Sequence, residues 1–381
     1  MKRYRSVVEV MSPVAISLRR ATGNSLETRT YIPGTALRGA LAQAYQEGAG
    51  KTSDPEFEAL FLQRKVRVGD QRPFGERPWP CSARECADEK DGHSPVDLLL
   101  QKGAHQPMAP TCAFPGQGPD DKCGAKRRPL DGFYQATTRG FANVDLKRRR
   151  IAHTQIHPEF LRAMTGQFHT STVLPEELRL EGFIWAEDEA AAYLEALVGE
   201  ERVLYVGRGR SRGQGRVSVR LREETPEPAE RSTKRIRDFN YEAHTIYPAL
   251  GSKVLFSCSL LSGAILLNEW LMARSMVEPS DLRCDSAGYR PMAAFLRTET
   301  LAGWNAGAGF PRSEVEMVAP GSCFLFGHEM AGGERELEYA RLAGTLAEVE
   351  AQGIGERREE GFGEVAFCEP IHWERAAREG Q

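Results

Sequence analysis

Residues 207–217 read Gly-Arg-Gly-Arg-Ser-Arg-Gly-Gln-Gly-Arg-Val. Gly207, Gly209, Gly213 and Gly215 allow positive φ values and the close approach of a ligand, because no Cβ stands in the way. Arg208, Arg210, Arg212 and Arg216 alternate with them and carry planar, multi-donor groups suited to phosphate. Ser211 and Gln214 complete the loop. Backbone N–H groups exposed in such a turn form an anion-binding nest. The chemistry suggested is the grip of a polyanion. A dinucleotide fingerprint is excluded: Gly207-Arg-Gly209-Arg-Ser-Arg212 is not Gly-x-Gly-x-x-Gly, and the loop follows a helical pattern instead of preceding one. No complete Gly-x-x-x-x-Gly-Lys-Ser/Thr motif occurs either.

Two further groups can serve the same purpose. Pro33 and Gly34 make a turn into a helix whose N-cap is expected to be Thr35. Arg38 lies one turn in, near free N–H donors and partial positive charge. Gly34, Thr35 and Arg38 are expected to hold a nucleic-acid backbone together with the glycine loop. The run Lys147-Arg148-Arg149-Arg150, followed by His153 and His157, is expected to form a basic arm spanning about 139–172 that reaches along the strand.

Four of the eight cysteines fall within 43 residues: Cys81, Cys86, Cys112 and Cys123. Cys86, Cys112, Cys123 and either Cys81 or His93 can give Zn²⁺ four tetrahedral ligands. Such a site is structural, since four protein ligands leave no position for a catalytic water. Cys258 and Cys323 lie in apolar runs and read as buried small hydrophobes.

For catalysis the residues offer little. There is no His-Glu-x-x-His, and no His-x-Glu paired with Cys-x-x-Cys. His153, His157 and His169 can serve in principle as general acid and base for RNA cleavage.

The elements that must position these groups belong to a chain of 381 residues, 41% hydrophobic and 27% charged, long enough for two domains with a core in each. No apolar run is long enough to span a membrane. The N-terminal apolar stretch, broken by Glu9 and Pro13, is unlike a signal peptide. A cytoplasmic chain with reduced thiols is expected. The net charge of −3 conceals an asymmetry. Residues 126–150 carry +6 and residues 202–222 carry +7, whereas residues 314–381 carry −9. That division suits a polyanion on one face and a protein partner elsewhere.

The end-piece is repeated. Residues 353–365 read Gly-Ile-Gly-Glu-Arg-Arg-Glu-Glu-Gly-Phe-Gly-Glu-Val, 146 residues after the first copy. Ala190, Leu194, Leu197 and Val198 give a helical pattern before the first loop; Tyr339, Leu342, Ala343 and Leu346 give one before the second. A strand-like run follows each. Residues 6–18 are β-rich, and Leu37, Ala40, Leu41, Ala44 and Tyr45 keep helical spacing. Residues 166–172 and 178–185 give the middle strands. The fold class is therefore α+β, with β-α-β-β-α-β order, as in a ferredoxin-like or RNA-recognition fold. The expected organisation is an N-terminal domain over 1–222 with a cysteine-containing insertion near 70–135. A linker over 223–238 leads to an acidic, degenerate second domain over 239–381.

The ordered set of these residues resembles the RAMP superfamily of CRISPR effector proteins, marked by a glycine-rich loop before the last strand of a ferredoxin-like domain. Tyr31-Ile-Pro-Gly-Thr-Ala-Leu-Arg-Gly-Ala-Leu41 looks like the family's first-helix motif. More narrowly, the chain is similar to the subtype III-D subunits that cap the 5′ handle of the CRISPR RNA (crRNA). Ser82-Ala-Arg-Glu-Cys86, Gly92-His93, Val96-Asp97, Cys123-Gly124 and Gly132-Phe133-Tyr134 carry that likeness, joined by Gly303-Trp304-Asn305, Phe310-Pro311-Arg312 and Gly321-Ser322.

The resemblance implies two tandem ferredoxin-like domains and a non-catalytic RNA-binding subunit that grips the crRNA handle. It also implies contacts with a large polymerase-like signalling subunit and with backbone RAMP subunits, and only indirectly with target RNA. The matching of Cys86, His93 and Cys123 favours His93 over Cys81 as the fourth zinc ligand. A guide-processing nuclease of the same superfamily is expected to carry a histidine in or just after the first helix, and none precedes His93. A target-cutting backbone subunit uses an acid before that helix, where residues 22–30 offer only Glu27.

Overall fold

A computed structural model describes residues 1–17, 25–48, 50–88, 93–108, 111–112, 123–138, 140–144, 146–225, 227–285, 287–305, 309–330 and 332–374. Gly92 and the start of the 22–30 loop fall outside them.

The first sheet contains β1 (Lys2–Val10), β2 (Val66–Val68), β3 (Arg179–Ala186), β4 (Arg202–Tyr205) and β5 (Arg216–Glu224). Its order is β4-β5-β1-β3-β2, every pair antiparallel, with Arg72–Pro73 also pairing with β3. Alternation builds β1: Tyr4, Ser6, Val8 and Val10 are buried while their neighbours face outward. Helices α1 (Gly34–Glu47), α2 (Pro55–Phe61) and α4 (Asp188–Val198) supply Leu37, Leu41, Leu60, Ala190 and Leu194 to the same core. A short helix, α3 (Leu99–Gly103), lies in the insertion and packs into the second core.

The second sheet contains β6 (Lys253–Leu260), β7 (Arg290–Phe295), β8 (Cys323–Glu329) and β9 (Val365–Phe367), in the order β7-β8-β6-β9. Helices α5 (Ala229–Ile246) and α6 (Arg335–Gln352) pack beside it. Phe256 stacks on Phe326 with ring centroids 5.1 Å apart, and Phe239, Phe324, Leu342, Leu346 and Phe367 close this core.

Three sequence expectations are corrected. Residues 163–173 form a strand, but it pairs with Arg149–Ile156 in a separate three-stranded sheet, and Val66–Val68 takes the place expected for it beside β3. A strand identified by pattern alone carries no address; the partner is chosen in three dimensions. Of residues 223–238, expected as a linker, Glu223 and Glu224 end β5 and residues from Ala229 onward are helical. Ser232, Ile236, Phe239, Asn240 and Ala243 make one buried face, so that helix is held by packing. The N-cap of α1 is Pro33, not Thr35; Gly34 N–H donates to Asp70 Oδ1 at 2.9 Å instead. Burial raises the Asp70 carboxyl to about 6, opposed by Arg72 and by that N–H.

The halves meet through ion pairs, the first buried on both sides and the second with an exposed arginine on a buried glutamate. Arg72 pairs with Glu364 and Arg77 with Glu369. Arg67 stacks over Trp185 at 4.1 Å and donates to Ala351 O at 3.0 Å, capping the end of α6. Burial lowers the Arg67 guanidinium to about 10, against the pull of Glu364.

The repeated end-pieces share a backbone. Arg208 N–H donates to Ala15 O at 2.8 Å, and Glu356 N–H donates to Ile265 O at 2.9 Å. Gly215 N–H reaches Pro13 O at 2.9 Å, and Gly363 N–H reaches Gly263 O at 2.8 Å. Each loop contains one 3₁₀ turn, Arg210–Arg212 and Arg358–Glu360, flanked by left-handed residues.

Candidate nucleic-acid interface and metal centre

The first loop joins β4 to β5 and leans on the segment after β1. A Cβ on Gly207 would fall 2.3 Å from Ala15 O, and one on Gly215 2.2 Å from Val206 O, so glycine is required at both. Arg208, Arg210, Ser211, Arg212 and Gly213 are exposed. Arg208 Nη1 donates to Ser17 Oγ at 3.1 Å, and Arg210 Nη1 donates to Gln43 Oε1 on α1. These partners are neutral and surface-borne, so both guanidinium groups keep their charge for an incoming phosphate.

The nest expectation is narrowed. The N–H groups of Arg208, Arg212, Gly213, Gln214 and Gly215 already donate to backbone carbonyls. The arginine side chains, not those five amides, are the available donors. Residues 209–213 also spell Gly-x-Ser-x-Gly. Ser211 stands in a 3₁₀ turn between two strands and not at the strand-to-helix elbow that this nucleophile motif requires.

Gly34 and Arg38 do not join this loop. Gly34 is buried beneath the second glycine loop, where a Cβ would meet Val68 O at 2.0 Å and Glu360 O at 2.8 Å. Arg38 Nη2 donates to Phe61 O at 2.5 Å, and its guanidinium carbon lies 5.9 Å from the Phe61 ring centroid. Burial lowers its pKa, while Glu360 and Glu359 oppose that shift. Thr35 is half-buried. Gln43, which the loop does touch, stands nine residues after Gly34, about 14 Å along the helix axis. The second loop explains the separation: its Glu360 pairs with Arg312 and Arg357, and its Glu359 with Arg64, so its acids serve contacts within the chain.

The basic arm is a hairpin of Arg149–Ile156 and Ala163–Val173. Arg148, Arg149 and Arg150 are exposed at its base. His153 stacks on His169 across the strands, with ring centroids 4.8 Å apart, and its Nε2 lies 3.1 Å from Ser171 Oγ. His157 Nδ1 accepts from the N–H groups of Glu159 and Phe160. Ile156, Phe160, Leu161 and Phe168 are exposed, so the arm offers apolar as well as cationic surface.

The structure brings four of the five candidate metal ligands together. One ligand atom each from Cys86, His93, Cys112 and Cys123 lies within 4.8 Å of every other. Cys86 Sγ is 3.5 Å from Cys123 Sγ, and Cys112 Sγ is 3.8 Å from His93 Nδ1. Tetrahedral zinc with its usual bond lengths separates two sulfurs by about 3.8 Å and sulfur from nitrogen by about 3.6 Å, so the residues fit that ion. Burial raises the Cys86 thiol to about 11; the Asp88 N–H opposes this, and the Cys123 and Cys112 thiols add to it. Cys81 stands elsewhere, its N–H donating to Gly321 O at 2.7 Å. The pieces of the insertion converge because Ala83–Cys86 pairs with both Val96–Asp97 and Arg127–Pro129.

Among the described residues, no helix is long and apolar enough to cross a membrane. No curated protein matches the sequence. Among solved structures, a chain of the type III-B Cmr-beta complex bound to cognate target RNA and AMPPnP is similar at 10% identity and TM-score 0.44, covering 89% of this chain and 93% of that one. Cmr4 (Cas7) of Pyrococcus furiosus is similar at 15% identity and TM-score 0.27, covering 58% of this chain and 100% of that one. A chain of a type IV-B CRISPR complex is similar at 12% identity and TM-score 0.28, covering 59% of this chain and 95% of that one. A sequence model of the RAMP superfamily matches residues 7–218, more than half the chain, and the protein therefore belongs to the RAMP superfamily.

Proposed function

We propose that this chain is a non-catalytic RNA-binding subunit of a type III, III-D-like, CRISPR effector complex. It grips the 5′ repeat-derived handle of the crRNA and joins the large signalling subunit to the backbone filament. In this reading both antiparallel sheets are ferredoxin-like units of a tandem pair, the second lacking the helix after its first strand. The observation that carries the proposal is the first glycine loop, which holds Arg208, Arg210 and Arg212 outward on a backbone pinned to Ala15 and Pro13. Guanidinium groups fixed in this way suit successive phosphates of a single strand. The hairpin arm extends the cationic surface through Arg148, Arg149 and Arg150.

Zinc at Cys86, His93, Cys112 and Cys123 is structural in this reading, cross-linking the insertion without an open coordination position. The exposed acids of the second half, among them Glu314, Glu316, Glu334 and Glu356, are the surface offered to protein partners.

The test is whether the chain, purified from its complex, retains a short RNA of uniform 5′ sequence. Mixed or absent RNA sinks the proposal. The alternative, a guide-processing endoribonuclease using histidine acid/base chemistry, has the His153–His169 stack in its favour. Specific cleavage of repeat RNA, abolished by His153→Ala, would establish it.

A further inference from the structure

A cavity of about 310 Å³ lies where the insertion, the end of α5 and the C-terminal 3₁₀ turn come together. Its volume is at the lower end of the range of small-molecule sites, about 300–1,000 Å³. Trp79 and Phe141 line it from the insertion side, Tyr247 from the residue after α5, and Trp373 from the C-terminal turn. Four aromatic side chains from four separate stretches of sequence thus meet around one space.

The rings are oriented by their neighbours. Trp79 Nε1 donates to Asn143 Oδ1 at 3.0 Å, and Trp373 Nε1 donates to Cys368 O at 3.3 Å. Phe141 packs edge-on against Tyr134 at 5.5 Å, which in turn packs on Trp79 at 5.0 Å.

The lining also contains buried polarity. His372 Nε2 lies 2.8 Å from Ser259 Oγ. Its Nδ1 faces the Asp97 carboxylate, with Oδ1 at 3.2 Å, and His372 is only 4% exposed. Asp97 also accepts from Ser82 Oγ and from Leu99 N–H. Aromatic walls beside this fixed polar cluster suit a flat heterocycle with polar edge atoms.

Charge around the cavity supplies the rest. Arg127 lines it, within the 126–150 segment that carries +6. Glu374 and Ser94 are the exposed members of the lining. A single strand whose backbone is held by that basic segment has its bases free to turn into an adjacent aromatic space.

We infer that this cavity is a nucleobase pocket, receiving one unpaired base of a bound RNA. The inference rests on the RNA-binding function proposed above and adds a second point of contact, remote from the glycine loop. Ring stacking provides the affinity, and Arg127 in the lining supplies positive charge for the backbone.

The test uses the full chain and a short single-stranded RNA carrying 2-aminopurine at one position at a time, with total binding followed separately by filter retention. One position is expected to lose fluorescence on binding. Trp373→Leu and Tyr247→Leu should each restore that emission and weaken retention about tenfold, the scale of one lost base stack. Trp373→Phe should keep the quenching, which separates stacking from a folding defect; all variants are checked by thermal melting. Tight retention with no quenched position, and unchanged binding by both leucine variants, overturns the pocket and leaves the RNA-binding function standing. No retention of RNA by the wild-type chain overturns both. Protection of Tyr247 and Trp373 from chemical labelling by a partner protein in the absence of RNA assigns the cavity to that protein and overturns the inference.

Discussion

Arg72 and Glu364, 292 residues apart in sequence, form an ion pair buried between the two halves of the molecule. Burial works against both charges, but Arg72, with Arg67, holds the Glu364 carboxyl below its ordinary value. Replacing Glu364 by Gln strands a buried guanidinium. The expected loss is about 3–5 kcal/mol, read by denaturant unfolding. The sign of the pH effect follows from the lowered pKa. The stabilisation is present above about pH 4.3, the unfolded value, and is lost as pH falls through the folded value. An unchanged acid-unfolding midpoint in Glu364→Gln would remove Arg72–Glu364 as a clasp.

His372 gives the opposite pH dependence. Burial opposes its charge, but Asp97 and then Glu369 outweigh burial, and its pKa is raised. Its contribution to stability is therefore full below about pH 6.5 and is lost as pH rises through the folded value. Melting curves of wild type and His372→Gln should converge at high pH and separate below neutrality. Parallel curves across that range contradict the assignment.

Combined Arg208→Ala, Arg210→Ala and Arg212→Ala should weaken RNA binding by about 1–3 kcal/mol in total without altering the melting temperature, because the side chains are exposed. The steep salt dependence of binding should flatten in the variant, as fewer counterions are released. Equal salt slopes for the two proteins would place the phosphates elsewhere.

Two glycines of the same loop should respond differently to alanine. Gly213 and Gly215 have φ of +79° and +87°, so each substitution strains the backbone by about 1–2 kcal/mol. At Gly213 nothing lies within 4 Å of the new Cβ, whereas at Gly215 Val206 O stands 2.2 Å away. Gly215→Ala should therefore cost about 1–3 kcal/mol more than Gly213→Ala in thermal or chemical unfolding.

Elemental analysis should find about one zinc per chain, the expectation for a closed four-ligand site. Chelation or Cys112→Ser should expose the insertion to proteolysis before the two main cores unfold, because the ligands lie in and beside a separate three-stranded sheet. Resistance identical to that of the untreated protein would show the insertion to be held by packing alone.

The duplication was legible because glycine is demanded by backbone geometry, and geometry was what the two copies kept. Arg208 and Glu356 occupy matching positions with matching hydrogen bonds and opposite charge. The Cys86, His93, Cys112 and Cys123 cluster was partly legible for a similar reason: few residue types can hold a metal, though spacing alone left Cys81 and His93 as alternatives. Amphipathic spacing likewise placed α1, α4 and α6.

What the tertiary structure alone decided was adjacency. Nothing in the residues around Gly34 indicates that the second loop lies on it, or that Asp70 from beyond β2 takes its N–H. Nor does spacing show that Arg38 turns toward Phe61 and the acids of that loop, away from the arginines of the first. The aromatic cavity has no linear signature, since its walls come from four distant stretches. Local propensity is written in near neighbours and can be read along the chain. The choice among possible long-range partners depends on which packing buries the most surface while pairing every buried charge, and that is settled only when the whole chain folds.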